Sequence, residues 1–198
     1  MILVFNAFMF ENLSFEIKEV MPCIKDPSRI RFVAQANMEF SRELIIVLSF
    51  KFPPGLVVYD ESSGALTLKL WDRLTTIFPS GKVGVTYTLD INEAREILDR
   101  VKKLIVEAEM DFRRSGMPSQ NEINARKRLT ALQLYKYLPK TNCKLCGEAT
   151  CMAFAVKVLN GELKLSLCKP LRGELKSRIN ELKEWIGDRV LKSLGWEI

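Results

Sequence analysis

Histidine is absent from all 198 residues of the chain. That removes the commonest general acid and base of enzyme sites. No G-x-S-x-G, Walker or dinucleotide fingerprint occurs, and no Glu or Lys is singled out by its neighbours, so no catalytic constellation is expected. Long apolar runs are scarce too. The N-terminal stretch "MILVFNAFMFENLSFEIKEV" is broken at Glu11, too early to span a bilayer, and "ELIIVLSFKF" is shorter still. There is no basic leader and no small-residue cleavage site, so a secretory signal is not expected and a cytoplasmic location is. Repeats and low-complexity tracts are also lacking.

What is present suits a globular chain. Apolar residues make up 47% and charged residues 27%, enough for a core. The net charge is +6 with a pI near 9.1, which permits an acidic partner without requiring one. The length allows one domain or two small ones.

Residues 1–28 give no clear element, and "PCIKDPSR" reads as a connector. "IRFVAQANM" from Ile30 reads as a strand. "SRELIIVLSF" has the length and Ser start of a short helix but the branched residues of a strand, and its periodicity does not choose. Residues 55–60, 64–70, 73–78 and 82–88 read as four strands of a meander, separated by turn-compatible "DESSG", Trp71-Asp72-Arg73 and "PSGK". Asp90 with Glu93 caps a long helix, with Ile91, Ala94, Ile97, Leu98, Val101, Leu104, Ile105 and Ala108 on one face. Gly116 and Pro118 end it. The expected architecture is therefore α+β: an antiparallel sheet over 29–116 with a long helix on one face, then a helical domain over 119–198. There Ser119 and Glu122 open a second helix that runs to about Leu138. A short helix spans about Thr150 to Leu159, and a final amphipathic helix follows Pro170.

Five cysteines occur, four of them in the last third at Cys143-x2-Cys146-x4-Cys151-x16-Cys168. In a reducing compartment, clustered thiols point to a metal or redox site rather than to disulfides. The C-x2-C pair can wrap one centre through a tight turn, and Gly147 gives the backbone freedom to leave it. Cys151 falls near a helix start, where the dipole favours thiolate. Cys168 arrives from a distant segment and is followed one residue later by proline, a common companion of the last ligand in iron–sulfur sites. Zinc is the alternative, but zinc ribbons usually carry two C-x2-C pairs. The unequal spacing suits an iron–sulfur cube better. Lys140, Lys144, Lys157 and Lys169 flank the thiols and could ease the charge of an anionic cluster. Cys23 stands apart and reads as a small buried hydrophobe.

"LPKTNCKLCGEATCMAFAVKVLNG…CKPL", about residues 137–171, resembles the four-cysteine iron–sulfur domain of the corrinoid iron–sulfur protein large subunit and of the B subunit of Rnf-type electron-transport complexes. The resemblance implies a [4Fe–4S] cluster held by Cys143, Cys146, Cys151 and Cys168. Lys144 and Ala149 stand where that family usually has glycine and proline, and neither is a ligand.

Residues 30–106, through "FPPGLVVY…TIFPSGKVGVTYTLDINEAREILDRVKKL", resemble one half-repeat of the TATA-box-binding protein. The resemblance implies a curved sheet backed by the long helix, with Phe52 and Phe78 at the positions of the groove-wedging phenylalanines. A second half-repeat is not visible, and Asp60 and Glu61 replace the basic residue expected there, which weakens attraction to phosphates.

Two functions follow as expectations. The first is a redox accessory or electron-transfer protein that carries one [4Fe–4S] centre and docks a partner protein through its sheet domain. The alternative is a nucleic-acid-associated or redox-sensing regulator whose cluster, or zinc ion, is structural or sensory.

Overall fold

The computed structural model describes Phe10 and residues 12–197. The protein is α+β, with a six-stranded antiparallel sheet in the order β1-β2-β6-β5-β4-β3 and helices on either side of it in sequence. The chain forms two compact units. One comprises the residues up to Ser49 together with Val58–Met117, the other Phe50–Val57 together with Pro118 onward.

The strands, all of the first unit but for Val57, are β1 (Phe15–Pro22), β2 (Ile30–Ala36), β3 (Val57–Tyr59), β4 (Leu66–Leu70), β5 (Arg73–Ile77) and β6 (Lys82–Thr88). β3 to β6 are the expected meander, and β2 lies beside β6. β1 pairs along β2 from Phe15↔Ala36 to Pro22↔Ile30, with a shift in register between Ile17 and Glu19. No element was expected there. As an edge strand it is half-exposed on both faces, and its charged residues Glu16, Lys18 and Glu19 blur the alternation that marks a strand.

One face of the sheet is apolar. Phe32, Ala34, Leu66, Leu68, Ile77, Val83 and Val85 on this face are almost fully buried. Each fully buried large aliphatic or aromatic side chain contributes about 1.5–3 kcal/mol relative to exposure. Two helices belong to the same unit: α1 (Arg42–Ser49), which packs on α2 and reaches β4, and α2 (Ile91–Ser115), which contacts β6. The segment that could have been helix or strand is thus a helix. Ser41 decides its start, since its hydroxyl accepts from the Leu44 N–H at 3.1 Å.

The expected cap of α2 is present, because the Asp90 carboxylate accepts from the N–H groups of Asn92 and Glu93. The return half differs: Glu93 accepts from the Leu89 N–H rather than from Asp90. Ala94, Ile97, Leu98, Val101, Ile105 and Ala108 are buried as the stripe implied, whereas Ile91 is exposed at the first turn.

In the second unit, α3 (Gln120–Arg128) starts with the Ser119–Glu122 capping box. It does not run to Leu138. Thr130 has extended backbone and its hydroxyl accepts from the Gln133 N–H, so it ends one helix and starts α4 (Ala131–Tyr137). α5 (Cys151–Leu159) is capped by Thr150, α6 (Lys169–Arg172) is a single turn, and α7 (Lys176–Ser193) closes the chain. Gly187 interrupts α7 at φ 80°; a Cβ there would lie 2.4 Å from Glu122 Cγ, so glycine is required for the α3–α7 approach.

Candidate metal centre

The thiol-bearing segment begins where α4 stops. Leu138 is buried, its carbonyl accepts from Arg178 Nη1 at 2.6 Å, and Pro139 prevents the helix from continuing. Between Pro139 and α5 the backbone is a series of tight reversals. Lys140, Asn142 and Lys144 have φ of 64°, 50° and 60°, and Gly147 has φ 89°. The Gly147 N–H donates to the Lys144 carbonyl at 2.9 Å and closes a turn that holds Leu145 and Cys146. Asn142 ties the loop to the helix, because its side-chain oxygen accepts from the Cys151 N–H at 2.9 Å. Thr150 then accepts from the Ala153 N–H at 3.1 Å.

These reversals bring all four thiols to the lining of one pocket. Cys143, Cys146, Cys151 and Cys168 ring it together with Asn142, Lys144, Glu148 and Thr150, and the apolar wall comes from Leu138, Phe154 and Pro170 among others. Cys23 is not among them; it is buried in the first unit. The four differ in setting. Cys151 and Cys168 are buried, Cys146 is half-buried and Cys143 is exposed. Cys151 is the first residue of α5, and Cys168 immediately precedes α6 after a 3-10 turn at Leu165–Leu167. Two thiols therefore stand on packed elements and two on the looped segment.

Their electrostatics follow this division. Burial pushes the Cys168 thiol up to about 11, and the other three cysteines add to the shift. The exposed Cys143 thiol is shifted the other way by the Leu145 N–H and the Thr141 hydroxyl. The pocket has a free volume of about 10 Å3, room for about one water. Among the described residues, no three Cys, Asp or Glu side chains converge as tightly as a single chelated ion requires.

The flanking lysines divide as well. Lys144 lines the pocket. Lys157 donates to Glu148 at 2.7 Å, and that contact raises its pKa, so its charge is already matched. Lys140 lies over the Tyr135 ring at 5.7 Å, and Lys169 is exposed. Two pocket residues were not anticipated. Asn142 had a readable signal, since asparagine tolerates left-handed backbone and carries an acceptor for a helix N–H. Glu148 had none, because its role depends on Lys157 one helix away.

Phe52 and Phe78 belong to different compact units. The Phe52 carbonyl accepts from Arg126 Nη2 at 2.8 Å, and Phe78 closes the β5–β6 hairpin through backbone bonds with Gly81 and Lys82.

A family model described as "Putative Fe-S cluster" matches residues 138–170. Among curated proteins, the chain is 41% identical over 80 residues to the acetyl-CoA decarbonylase/synthase complex subunit gamma 2 of Methanosarcina thermophila, covering 34% of this chain and 17% of that protein. It is 60% identical over 45 residues to the gamma subunit of Methanosarcina acetivorans, covering 23% and 10%. The gamma subunit of Methanocaldococcus jannaschii is 41% identical over 78 residues, covering 34% and 16%. The chain thus spans less than a fifth of the length of these relatives. No solved structure matches it. Residues 138–170 are thus similar to an iron–sulfur cluster family, and no helix among the described residues is long and apolar enough to cross a membrane.

Proposed function

We propose that the second unit binds one [4Fe–4S] cluster through Cys143, Cys146, Cys151 and Cys168, and that the protein serves electron transfer as a redox accessory to a partner protein. The observation that carries this reading is that four thiols separated by up to 25 positions line a single pocket. The donor set fits the group, since cubane clusters are held by four cysteine thiolates. When bound, such a cluster passes one electron at a time.

The chain's own residues support the reading in three ways. Cys151 and Cys168 present sulfur from packed elements, and Leu138, Phe154 and Leu171, all almost fully buried, make the surroundings apolar. That lowers the local dielectric and helps to set a potential. The looped segment from Lys140 to Gly147 carries the other two thiols to the same pocket. Cys143 and its neighbour Leu145 are exposed, and so is Leu167 beside Cys168, which leaves a short path between the thiols and the surface.

The relatives are subunits of a multi-protein complex, and this supports a protein partner for the present chain. The sheet unit is the proposed docking element.

The test is a pair of variants. Cys146→Ser loses most of the visible absorbance of the cluster in anaerobically prepared protein, while Cys23→Ser leaves it unchanged. Equal loss in both would remove the ligand assignment.

A further inference from the structure

A second site lies in the first unit. A cleft of about 770 Å3 opens at the end of the sheet where the β1–β2 connection, the β4–β5 turn and the end of β6 meet. That volume is in the range of small-molecule sites. Its lining carries Lys25, Arg31, Lys69 and Arg73 against a single carboxylate, Asp72.

Two of the cations are incompletely bonded. The Arg73 side chain is only 10% exposed. Its Nη2 donates to Glu93 at 2.8 Å and its Nε to the Trp71 carbonyl at 3.0 Å, while Nη1 is buried with no hydrogen-bond partner. Arg31 Nε is also buried and without a partner. A buried donor on a charged group is costly to leave unmade, and guanidinium groups pair best with carboxylate, sulfate or phosphate oxygens. Arg73 pairs with Leu70 on the helix-covered face and is held by Glu93, whereas Lys25, Arg31 and Lys69 leave the cleft with an excess of positive charge, which points to an anion as its occupant.

The remaining walls are of another kind. Leu74 and Ile24 line the cleft and are 47% and 82% exposed. Tyr87 lines it as well, with the Arg29 guanidinium 4.3 Å and the Lys25 ammonium 5.3 Å from its ring centre. Arg29 is partly balanced by Asp26 at 3.6 Å.

We propose that this cleft binds a small organic anion, with a phosphate, sulfonate or carboxylate group against Arg31 and Lys69 and an apolar body against Leu74 and Tyr87. The site is independent of the thiol pocket and stands or falls without it.

The test is a titration of the isotope-labelled full chain, followed by NMR, with anilinonaphthalene sulfonate as the aromatic anion and inorganic phosphate as competitor. Saturable shifts are expected at Cys23–Arg31, Lys69–Leu74 and Thr86–Tyr87, and phosphate should reverse them. Arg73 also holds Glu93, so its removal could unfold the sheet. The informative variant is therefore Arg31→Gln with Lys69→Gln, which should weaken the sulfonate roughly tenfold or more while leaving the rest of the spectrum in place. Leu74→Ser should weaken the sulfonate and leave phosphate binding unchanged. Shifts scattered over surface lysines, or the same affinity in the double variant, would overturn the proposal. So would the absence of any shift at millimolar probe.

Discussion

The side chain of Asn142 accepts a hydrogen bond from the backbone N–H of Cys151 at 2.9 Å. This bond joins the loop bearing Cys143 and Cys146 to the helix bearing Cys151, across the pocket that all three line. Asn142 also sits at φ 50°, where asparagine is better tolerated than most residues. Asn142→Ala removes the acceptor and strains the backbone, at a cost of about 1 kcal/mol for the bond alone. The expected outcome is faster loss of cluster to an iron chelator, with unchanged far-UV circular dichroism. Asn142→Asp keeps the acceptor and should restore retention. Equal retention in wild type and Asn142→Ala would remove this role.

Glu148 lines the pocket and holds Lys157 at 2.7 Å. If the pocket carries an anionic cluster, the carboxylate disfavours adding an electron. Glu148→Gln removes that charge and releases the Lys157 ammonium, so the reduction potential should rise by on the order of tens of millivolts. Protein-film voltammetry on both proteins measures the sign. A fall in potential would show that the local charge balance has been read wrongly.

Asp60 closes the β3–β4 turn. Hydrogen bonds from the Ser63 and Ser62 hydroxyls, and from the Ser62 N–H, hold its carboxyl down at about 2. A carboxyl depressed on folding favours the folded state at pH values above its unfolded pKa, and that contribution fades as pH falls through the folded value. Carboxyl NMR should place the Asp60 midpoint near 2. Ser63→Ala should move it up toward the ordinary aspartate range. A midpoint already in that range in the wild type would show that the turn bonds do not persist in solution.

Gly187 combines a φ of 80° with a hypothetical Cβ contact of 2.4 Å to Glu122, whose carboxylate completes the α3 capping box. Gly187→Ala should therefore destabilise the second unit by about 1–3 kcal/mol, read as a lower urea midpoint. An unchanged midpoint would mean that α7 straightens there at no cost.

Elements with strong punctuation were legible in the sequence. Asp90 and Gly116 bound α2, Thr150 and Asn160-Gly161 bound α5, and turn residues separate β3 to β6. Where local signals conflicted or were weak, tertiary structure decided. Ile45, Ile46 and Val47 suit a strand, but the Ser41 cap and packing on α2 make them helix. Thr130 breaks a helix without glycine or proline, by hydrogen bonding alone, and nothing in its neighbours announces that. β1 is an edge strand whose charged side chains hide its alternation. At the candidate site the thiol spacing was enough to nominate all four cysteines. The Asn142 tether and the Glu148–Lys157 pair depend on how the loop folds back, and spacing does not encode that. The cationic cleft was out of reach for the same reason, since Arg31 and Lys69 are 38 positions apart and come to one cleft only through the sheet.

Iron and acid-labile sulfide analysis of the anaerobically purified full chain, with EPR after dithionite reduction, decides whether the four-thiol pocket holds a cubane. Four irons and four sulfides per chain, with a spin-half signal from the reduced protein, is the predicted result. Colourless protein with one zinc per chain and no labile sulfide would refute it.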